Sequence, residues 1–140
     1  MAEGSFGQGS GRILLYDVQC IGNERKLMSC AYSSSVNDSC THAQEAGVRC
    51  MPGMMCVCIS QHLPALYNLS KGCTGEDVRL VEGRTEQEGR VEICTANTWG
   101  TICHHGWDTI DARVVCRQLG YSVAGSHYYT LERAESLTYT

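Results

Sequence analysis

Residues 99–121 carry the most regular pattern of the chain and read WGTICHHGWDTIDARVVCRQLGY. Their first part, WGTIC (99–103), follows TANT (95–98), which has the composition of a hairpin turn. Two earlier stretches, VRLV (78–81) and GRVEIC (89–94), have the β-branched content of short strands. Together these segments predict a small antiparallel sheet.

The second part of the same stretch predicts a helix. Asp108 or Thr109 can cap it, DARVVCRQL (111–119) forms its body, and Gly120 is placed to end it. The residues that would share its apolar face are Ile110, Val114 and Val115. Cys116 lies inside this helix, so we expect it to be buried against the sheet.

The N-terminal part of the chain predicts three further short elements. RILLYDVQ (12–19) and GVRC (47–50) have the residues of strands. NERKLMSC (23–30) predicts a short helix capped by Asn23.

The composition indicates a fold held by cross-links. The chain has 140 residues with ten cysteines, but only one Phe and two Trp. A core so poor in large apolar side chains needs covalent support, and an even number of cysteines points to disulfides formed in an oxidising compartment. The net charge of −4 argues against nucleic acid as a partner.

The sequence lacks both a transmembrane stretch and a leader pattern. No run of eighteen apolar residues occurs, and the residues after Met1 have neither the basic nor the apolar region of a secretory signal. Because the cysteines still indicate an extracellular location, we expect a piece of a larger secreted or membrane-anchored protein. Contact with a membrane would then be made only through that parent protein.

Two parts of the chain are similar to the halves of one known domain. Residues 99–121, preceded by DVRLVEGRTEQEGRVEIC (77–94), resemble the first half of a scavenger receptor cysteine-rich domain. FGQGSGRILLYDVQCIGNERKLMSC (6–30), followed by SCTHAQEAGVRC (39–50), resembles the second half. The halves therefore stand in reverse order.

This resemblance implies a domain organisation and a fold. It divides the chain into a second half at 3–50, a linker at 51–76, a first half at 77–129 and an unassigned tail at 130–140. Two accounts of the order stay open, namely a fragment cut from a tandem array and two halves that fold together as a circularly permuted domain. The implied fold is a small disulfide-stapled α+β domain with a curved antiparallel sheet and one or two short helices.

The resemblance also implies a disulfide framework. The family's bridges, carried over residue by residue, are Cys20–Cys30, Cys40–Cys103 and Cys50–Cys116. Cys73 and Cys94 are additional, and we expect them to pair, because a bridge that closes a loop of about twenty residues contributes on the order of 3 kcal/mol. Tyr121 stands where the eight-cysteine subgroup of the family has a further cysteine.

Cys56 and Cys58 are left over. A Cys-x-Cys pair has poor geometry for an internal bond, so these residues are either unpaired or form an intermolecular bridge. A zinc site with His62 is the weaker alternative, because a fourth ligand and a CxxC pattern are missing.

The family binds ligands through a divalent cation, usually calcium, that is held by acidic residues. At the first family cluster this chain has His104, His105 and Gln44, which supply no carboxylate, so we interpret that cluster as degraded. Asp17 and Asp111 stand near the second cluster and predict a weak cation site, with a turn contact for Asp17 and helix capping for Asp111 as the structural alternatives. Weak calcium binding is therefore the only cofactor expectation.

The resemblance implies recognition of extracellular proteins or of polyanionic and microbial surfaces. The alternative is a structural or adhesive spacer that has no ligand of its own. Basic residues that could face a polyanion are Arg12, Arg25, Lys26 and Arg49. No enzyme is expected, because Cys103 is assigned to a disulfide and its neighbouring histidines lack the geometry of a catalytic dyad. Asn37 and Asn68 begin sequons for N-glycosylation in a secreted protein.

Overall fold

The computed structural model describes residues 6–34, 40–50, 73–121 and 128–130. Its strands are β1 (Ile13–Gln19), β2 (Ala31–Ser33), β3 (Gly47–Cys50), β4 (Val78–Val81), β5 (Glu88–Thr95), β6 (Thr98–Ile102) and β7 (Tyr128–Thr130). One α-helix, α1, spans Thr109–Gln118, and two short 3-10 turns lie at Leu27–Ser29 and His42–Gln44. We call residues 6–50 the N-terminal segment and residues 73–130 the C-terminal segment.

Strands from the two segments are interleaved in one sheet. The order is β2-β1-β6-β5-β3-β7, with β4 paired to β5 as well. β1 pairs with β6 in parallel, whereas the other pairs are antiparallel. The α+β class is thus confirmed, and the sheet is mixed rather than wholly antiparallel, because β1 and β6 run in the same direction and are far apart in sequence, as parallel neighbours must be.

The hairpin predicted at TANT is present between β5 and β6. Thr95 is the register partner of Thr98, so the loop contains only Ala96 and Asn97. Both loop residues have left-handed backbones, with φ of 49° and 62°. This two-residue turn matches the right-handed twist of the strands that it joins.

The predicted helix forms, with Asp108 as its cap. The Asp108 carboxylate accepts hydrogen bonds from the backbone N–H of Ile110 at 2.9 Å and of Asp111 at 3.0 Å. Val114, Val115 and Cys116 are fully buried, as expected. The expectation that Ile110 belongs to the buried face is wrong, because its side chain is 42% exposed and lies beside Gly22 of the loop after β1.

The predicted helix at residues 23–30 is largely absent. Only Leu27–Ser29 forms a 3-10 turn, and Lys26 rather than Asn23 precedes it. The backbone before this turn is held in a non-helical path by another part of the chain. The Arg117 side chain donates to the carbonyl oxygens of Gly22 and Glu24, both at 2.8 Å. These bonds take the carbonyl groups that a helix would have used.

Apolar side chains of both segments form one core on the α1 side of the sheet. Its fully buried members include Leu15, Val18, Leu27, Val48, Ile93, Ile102, Val114 and Val115. The other side is covered by the glycine-rich start of the chain. A Cβ atom at Gly9 would lie 2.7 Å from Thr101 Cγ2, so only glycine permits this close approach.

Four disulfides staple the described residues. They join Cys20 to Cys30, Cys40 to Cys103, Cys50 to Cys116 and Cys73 to Cys94, which are the four pairs expected above. The two bonds between the segments have Cα–Cα distances of 6.1 Å and 5.6 Å, within the usual range. The N-terminal and C-terminal segments therefore pack as one body.

Candidate functional site

The residues of the first family cluster lie together. The backbone N–H of His104 donates to the carbonyl oxygen of Gln44 at 2.8 Å, and the rings of His104 and His105 are 4.9 Å apart. The Gln44 side chain accepts a hydrogen bond from the Thr41 N–H at 3.0 Å, which closes the 3-10 turn. The three positions are thus adjacent, but they present imidazoles and an amide where a hard cation prefers carboxylates.

His105 also lies close enough to two sulfur atoms that the three side chains could face one metal ion. Its ring and the sulfurs of Cys40 and Cys103 are within 4.8 Å of one another. The two sulfurs are bonded to each other, so neither is a thiolate that could bind a metal. Glu24 lies in the same way beside Cys20 and Cys30, whose sulfurs are also bonded to each other and are therefore not metal-binding thiolates.

Asp111, assigned to the second cluster, is a buried structural residue. One carboxylate oxygen accepts from the Cys20 N–H at 2.8 Å, and the other accepts from the Asp108 N–H at 2.9 Å. Its side chain has no exposed surface. Burial raises its pKa to about 6, although the two backbone hydrogen bonds oppose that shift. Asp111 thus ties the start of α1 to the end of β1.

Asp17, its proposed partner, is exposed in β1. Its backbone is left-handed, with φ of 49°, and its side chain accepts a hydrogen bond from Gln19 at 3.2 Å. A Cβ atom at Gly106 would lie 2.5 Å from the Asp17 carboxylate, so this carboxylate packs directly against the loop before α1. Among the described residues, Asp17 and Asp111 do not belong to any common group of three metal ligands.

Sequence analysis missed a buried ionic cluster around Arg90. The Arg90 guanidinium donates to Glu82 at 2.8 Å, to the Phe6 carbonyl oxygen at 3.0 Å and to Glu92 at 3.3 Å, and Glu45 lies 3.8 Å away. Its side chain is 6% exposed and that of Glu45 is 2% exposed. Burial by itself would lower the Arg90 pKa, but Glu82, together with Glu92 and Glu45, raises it. Arg90 lies in a stretch that the sequence predicts as a strand, and nothing in the sequence indicated that its charge would be buried among carboxylates.

The predicted basic residues do not form one face. Arg49 pairs with Glu88, and Lys26 pairs with Glu76 at 3.5 Å. Arg12 precedes β1 and Arg25 follows the far end of the same strand, and both residues are exposed.

A second feature that sequence analysis missed is the exposed loop after β1. Ile21 is 82% exposed, the highest value among the large apolar residues that the structure describes as exposed. The loop is nevertheless held firmly, because the Glu24 carboxylate accepts from the N–H groups of Ile21 and Gly22, both at 2.8 Å. The bond from the Ile21 N–H is the main cause of the lowered Glu24 pKa.

Several predicted features lie outside the described residues. They are the sequon residues Asn37 and Asn68, the cysteines Cys56 and Cys58, and His62.

The described residues thus form a cross-linked sheet with one capped α-helix and four disulfides, and comparison of the sequence with known proteins gives its family. The scavenger receptor cysteine-rich domain matches residues 1–51 and 81–139, so the chain belongs to that family. SRCR domains are extracellular modules, and the disulfides of this chain fit that location. None of the helices in the described ranges has the length and apolar character needed to cross a membrane.

Proteins similar to this chain include two lysyl oxidase homologs. Lysyl oxidase homolog 3B of Danio rerio is 38% identical over 125 residues, which cover 86% of this chain and 13% of that protein. Lysyl oxidase homolog 2 of Mus musculus is 36% identical over 127 residues, which cover 88% of this chain and 14% of that protein. The chain therefore spans about one seventh of the length of these relatives.

Proposed function

We propose that this chain is a recognition module that binds extracellular proteins or polyanionic surfaces. The observation that carries the proposal is the 82% exposure of Ile21 on a hydrogen-bonded loop of a cross-linked frame. Ile110, which is 42% exposed, lies beside the same loop, and two exposed apolar side chains at one place are typical of a contact surface, whereas a spacer has no need of one.

The proposed module is not catalytic. Cys103 is bonded to Cys40, so it has no thiolate that the neighbouring His104 could activate. The relatives carry lysyl oxidase in their names, but this chain corresponds to 13–14% of their length. Any oxidase chemistry to which those names refer would belong to other parts of such proteins.

The proposed recognition does not depend on strongly bound calcium. Gln44, His104 and His105 supply no carboxylate at the first cluster, and Asp111 uses both of its oxygens for backbone N–H groups. Contacts between protein groups and the ligand would then carry the affinity, with at most a weak contribution from calcium at Asp17.

The proposed parent is a longer secreted protein or the ectodomain of a membrane protein. The alignments cover 86–88% of this chain, so each must include both segments and the residues between them in the present order. This supports the account in which the two segments come from successive modules of one array. Glycosylation at Asn37 and Asn68 belongs to the same proposal.

Binding measurements on the oxidised chain test the proposal. Biolayer interferometry would compare immobilised extracellular matrix proteins and sulfated glycans, each with calcium and with EDTA. Saturable binding that persists in EDTA is the expected result, and the reduced and alkylated chain serves as the control for folding. Absence of binding to every surface would overturn recognition in favour of the spacer.

A further inference from the structure

The loop after β1 and the first turns of α1 form one exposed surface. A Cβ atom at Gly22 would lie 3.2 Å from Ile110 Cγ2, which places the 42% exposed Ile110 beside the Ile21 loop. We define the Ile21 surface as Ile21, Ile110, Arg113 and Arg25. Two exposed isoleucines at one place make an apolar contact area on a small module.

The loop is fixed in the conformation that exposes Ile21. Its N–H groups at Ile21 and Gly22 are bonded to Glu24, and its carbonyl groups at Gly22 and Glu24 are bonded to Arg117. The Cys20–Cys30 disulfide closes the same loop. Because the exposed position is already ordered, a partner would lose little conformational entropy in the loop when it binds.

Beside the isoleucines, the charged side chains that lack a partner among the described residues are arginines, whereas the nearby carboxylates keep their charge but already have partners. Ile110, Arg113 and Arg117 are separated by three and four residues along α1, so they lie on one face of the helix. Arg113 is exposed and makes no hydrogen bond or ion pair with another described residue, and the same is true of Arg25 in the loop. The nearby acids are engaged, since Glu24 binds the loop N–H groups, Asp108 caps α1, and Glu76 faces Lys26 at 3.5 Å.

From this juxtaposition we infer that the Ile21 surface binds an acidic protein segment in which carboxylates flank apolar side chains. Such a segment would cover Ile21 and Ile110 and place carboxylates near Arg113 and Arg25. A sulfated glycan fits less well, because it has sulfates for the arginines but little to bury two isoleucines. This inference rests on the proposed function and adds the surface and the chemistry of the partner.

The test uses the oxidised chain and a fluorescein-labelled peptide of alternating Glu and Leu, followed by anisotropy. Ile21→Ser is expected to weaken binding about tenfold, since the lost apolar burial is near the energy of one decade in affinity. Ile21→Leu keeps the apolar contact and should bind within about twofold of the natural chain. Arg113→Gln should weaken binding about threefold and flatten its salt dependence, whereas Arg12→Gln, at the other end of β1, should not.

Other outcomes overturn the inference. They are a failure of the Glu and Leu peptide to bind, equal binding by a peptide of Glu and Ser, and binding by a heparin oligosaccharide alone that is insensitive to Ile21→Ser. If the matrix proteins bind the natural chain and Ile21→Ser equally, this inference fails while the proposed function stands. If no matrix protein or glycan binds, the proposed function itself fails. Thermal unfolding of each variant checks that the exposed substitutions leave the fold intact.

Discussion

Asp111 is a buried carboxylate whose folded-state pKa lies near 6, against an ordinary value of 3.8. Between these two pH values the folded chain holds a proton that the unfolded chain has released. Stability should therefore fall as the pH rises from about 4 to about 6, and Asp111 should account for a loss on the order of 3 kcal/mol. Urea unfolding at a series of pH values measures this slope.

The Asp111→Asn variant isolates that effect. Its amide does not titrate, so its unfolding free energy should lack the part of the slope that Asp111 causes, whatever its stability at a single pH. Thr109→Ala is the control, because Thr109 is exposed in the same helix and carries no titratable group, so its loss should leave the slope unchanged. Equal slopes for the natural chain and Asp111→Asn would contradict the prediction.

Arg90 should be among the residues most sensitive to substitution. Arg90→Met would remove the guanidinium that lies between the buried carboxylates of Glu45 and Glu92, and we expect a loss of about 3–5 kcal/mol. Arg79→Met is the control, since Arg79 is 45% exposed and also contacts Glu92, so its loss should cost about 1 kcal/mol or less. Comparable losses in the two variants would show that burial does not decide the effect.

Calcium affinity should be weak in the natural chain and recoverable by design. The structure puts positions 44 and 104 in direct backbone contact, so Gln44→Glu, His104→Asp and His105→Asp together would gather three carboxylates. Calorimetry should show calcium binding by the triple variant and little by any single variant, because one carboxylate rarely dehydrates calcium at a surface. Submicromolar affinity in the natural chain that survives Asp17→Asn and Asp111→Asn would contradict this prediction.

At the scale of the elements, the cap of α1 makes a direct test. Asp108→Ala removes the acceptor for two backbone N–H groups and should lower stability by about 1 kcal/mol, with effects up to about 2 kcal/mol. Thr109→Ala is the matched control, since Thr109 is exposed and is not the cap, and it should change stability by less than about 0.5 kcal/mol. Chemical denaturation measures the unfolding free energy of both variants. A larger loss of stability for Thr109→Ala than for Asp108→Ala would show that Asp108 is not the cap.

Local signals predicted most of the elements. The hairpin at residues 95–98, the strand at β1 and the helix after Asp108 follow from turn composition, β-branched residues and capping, which act within a few residues. The helix expected from Asn23 failed because Arg117, far along the chain, binds the carbonyl groups of that stretch. Ile110 was misplaced because its four-residue spacing from Val114 predicts a shared side of α1 but not whether the core reaches the first turn, where Ile110 stays 42% exposed.

The candidate site was predictable only in part. The loss of carboxylates at Gln44, His104 and His105 can be read directly from residue identity. The burial of Asp111 could not be predicted from residue identity. It depends on contact between the start of α1 and the end of β1, which lies 91 residues away in sequence. The Ile21 surface has the same origin, since Ile21 and Ile110 are neighbours only after the two segments pack.

For the molecule as a whole, the stability that a disulfide contributes should rise slowly with the length of the loop that it closes. Cys20–Cys30 closes 10 residues and Cys50–Cys116 closes 66 residues. Loss of the first by paired Cys→Ser substitution should cost about 3 kcal/mol, and loss of the second only slightly more, about 3–4 kcal/mol, because Cys40–Cys103 shortens the loop that the second closes to about 23 residues. Thermal unfolding of the two variants gives the comparison.

Reduction of all four bonds extends that test. The combined loss should exceed a total stability on the order of 5–15 kcal/mol, so the reduced chain should be unfolded. Circular dichroism in excess reductant would follow the transition. A cooperative unfolding transition that persists after full reduction would show that the apolar core alone holds the two segments together.

The Cys50–Cys116 bond also has a mechanical consequence. If the flanks of the chain were pulled apart, tension would pass through this covalent link and bypass the segment between its two cysteines, which are 66 positions apart in sequence. At about 3.4 Å per residue, about 220 Å of contour length would remain slack under load. The oxidised module would act as a short tether of nearly fixed length in a stretched matrix, and a reducing agent would release that hidden length.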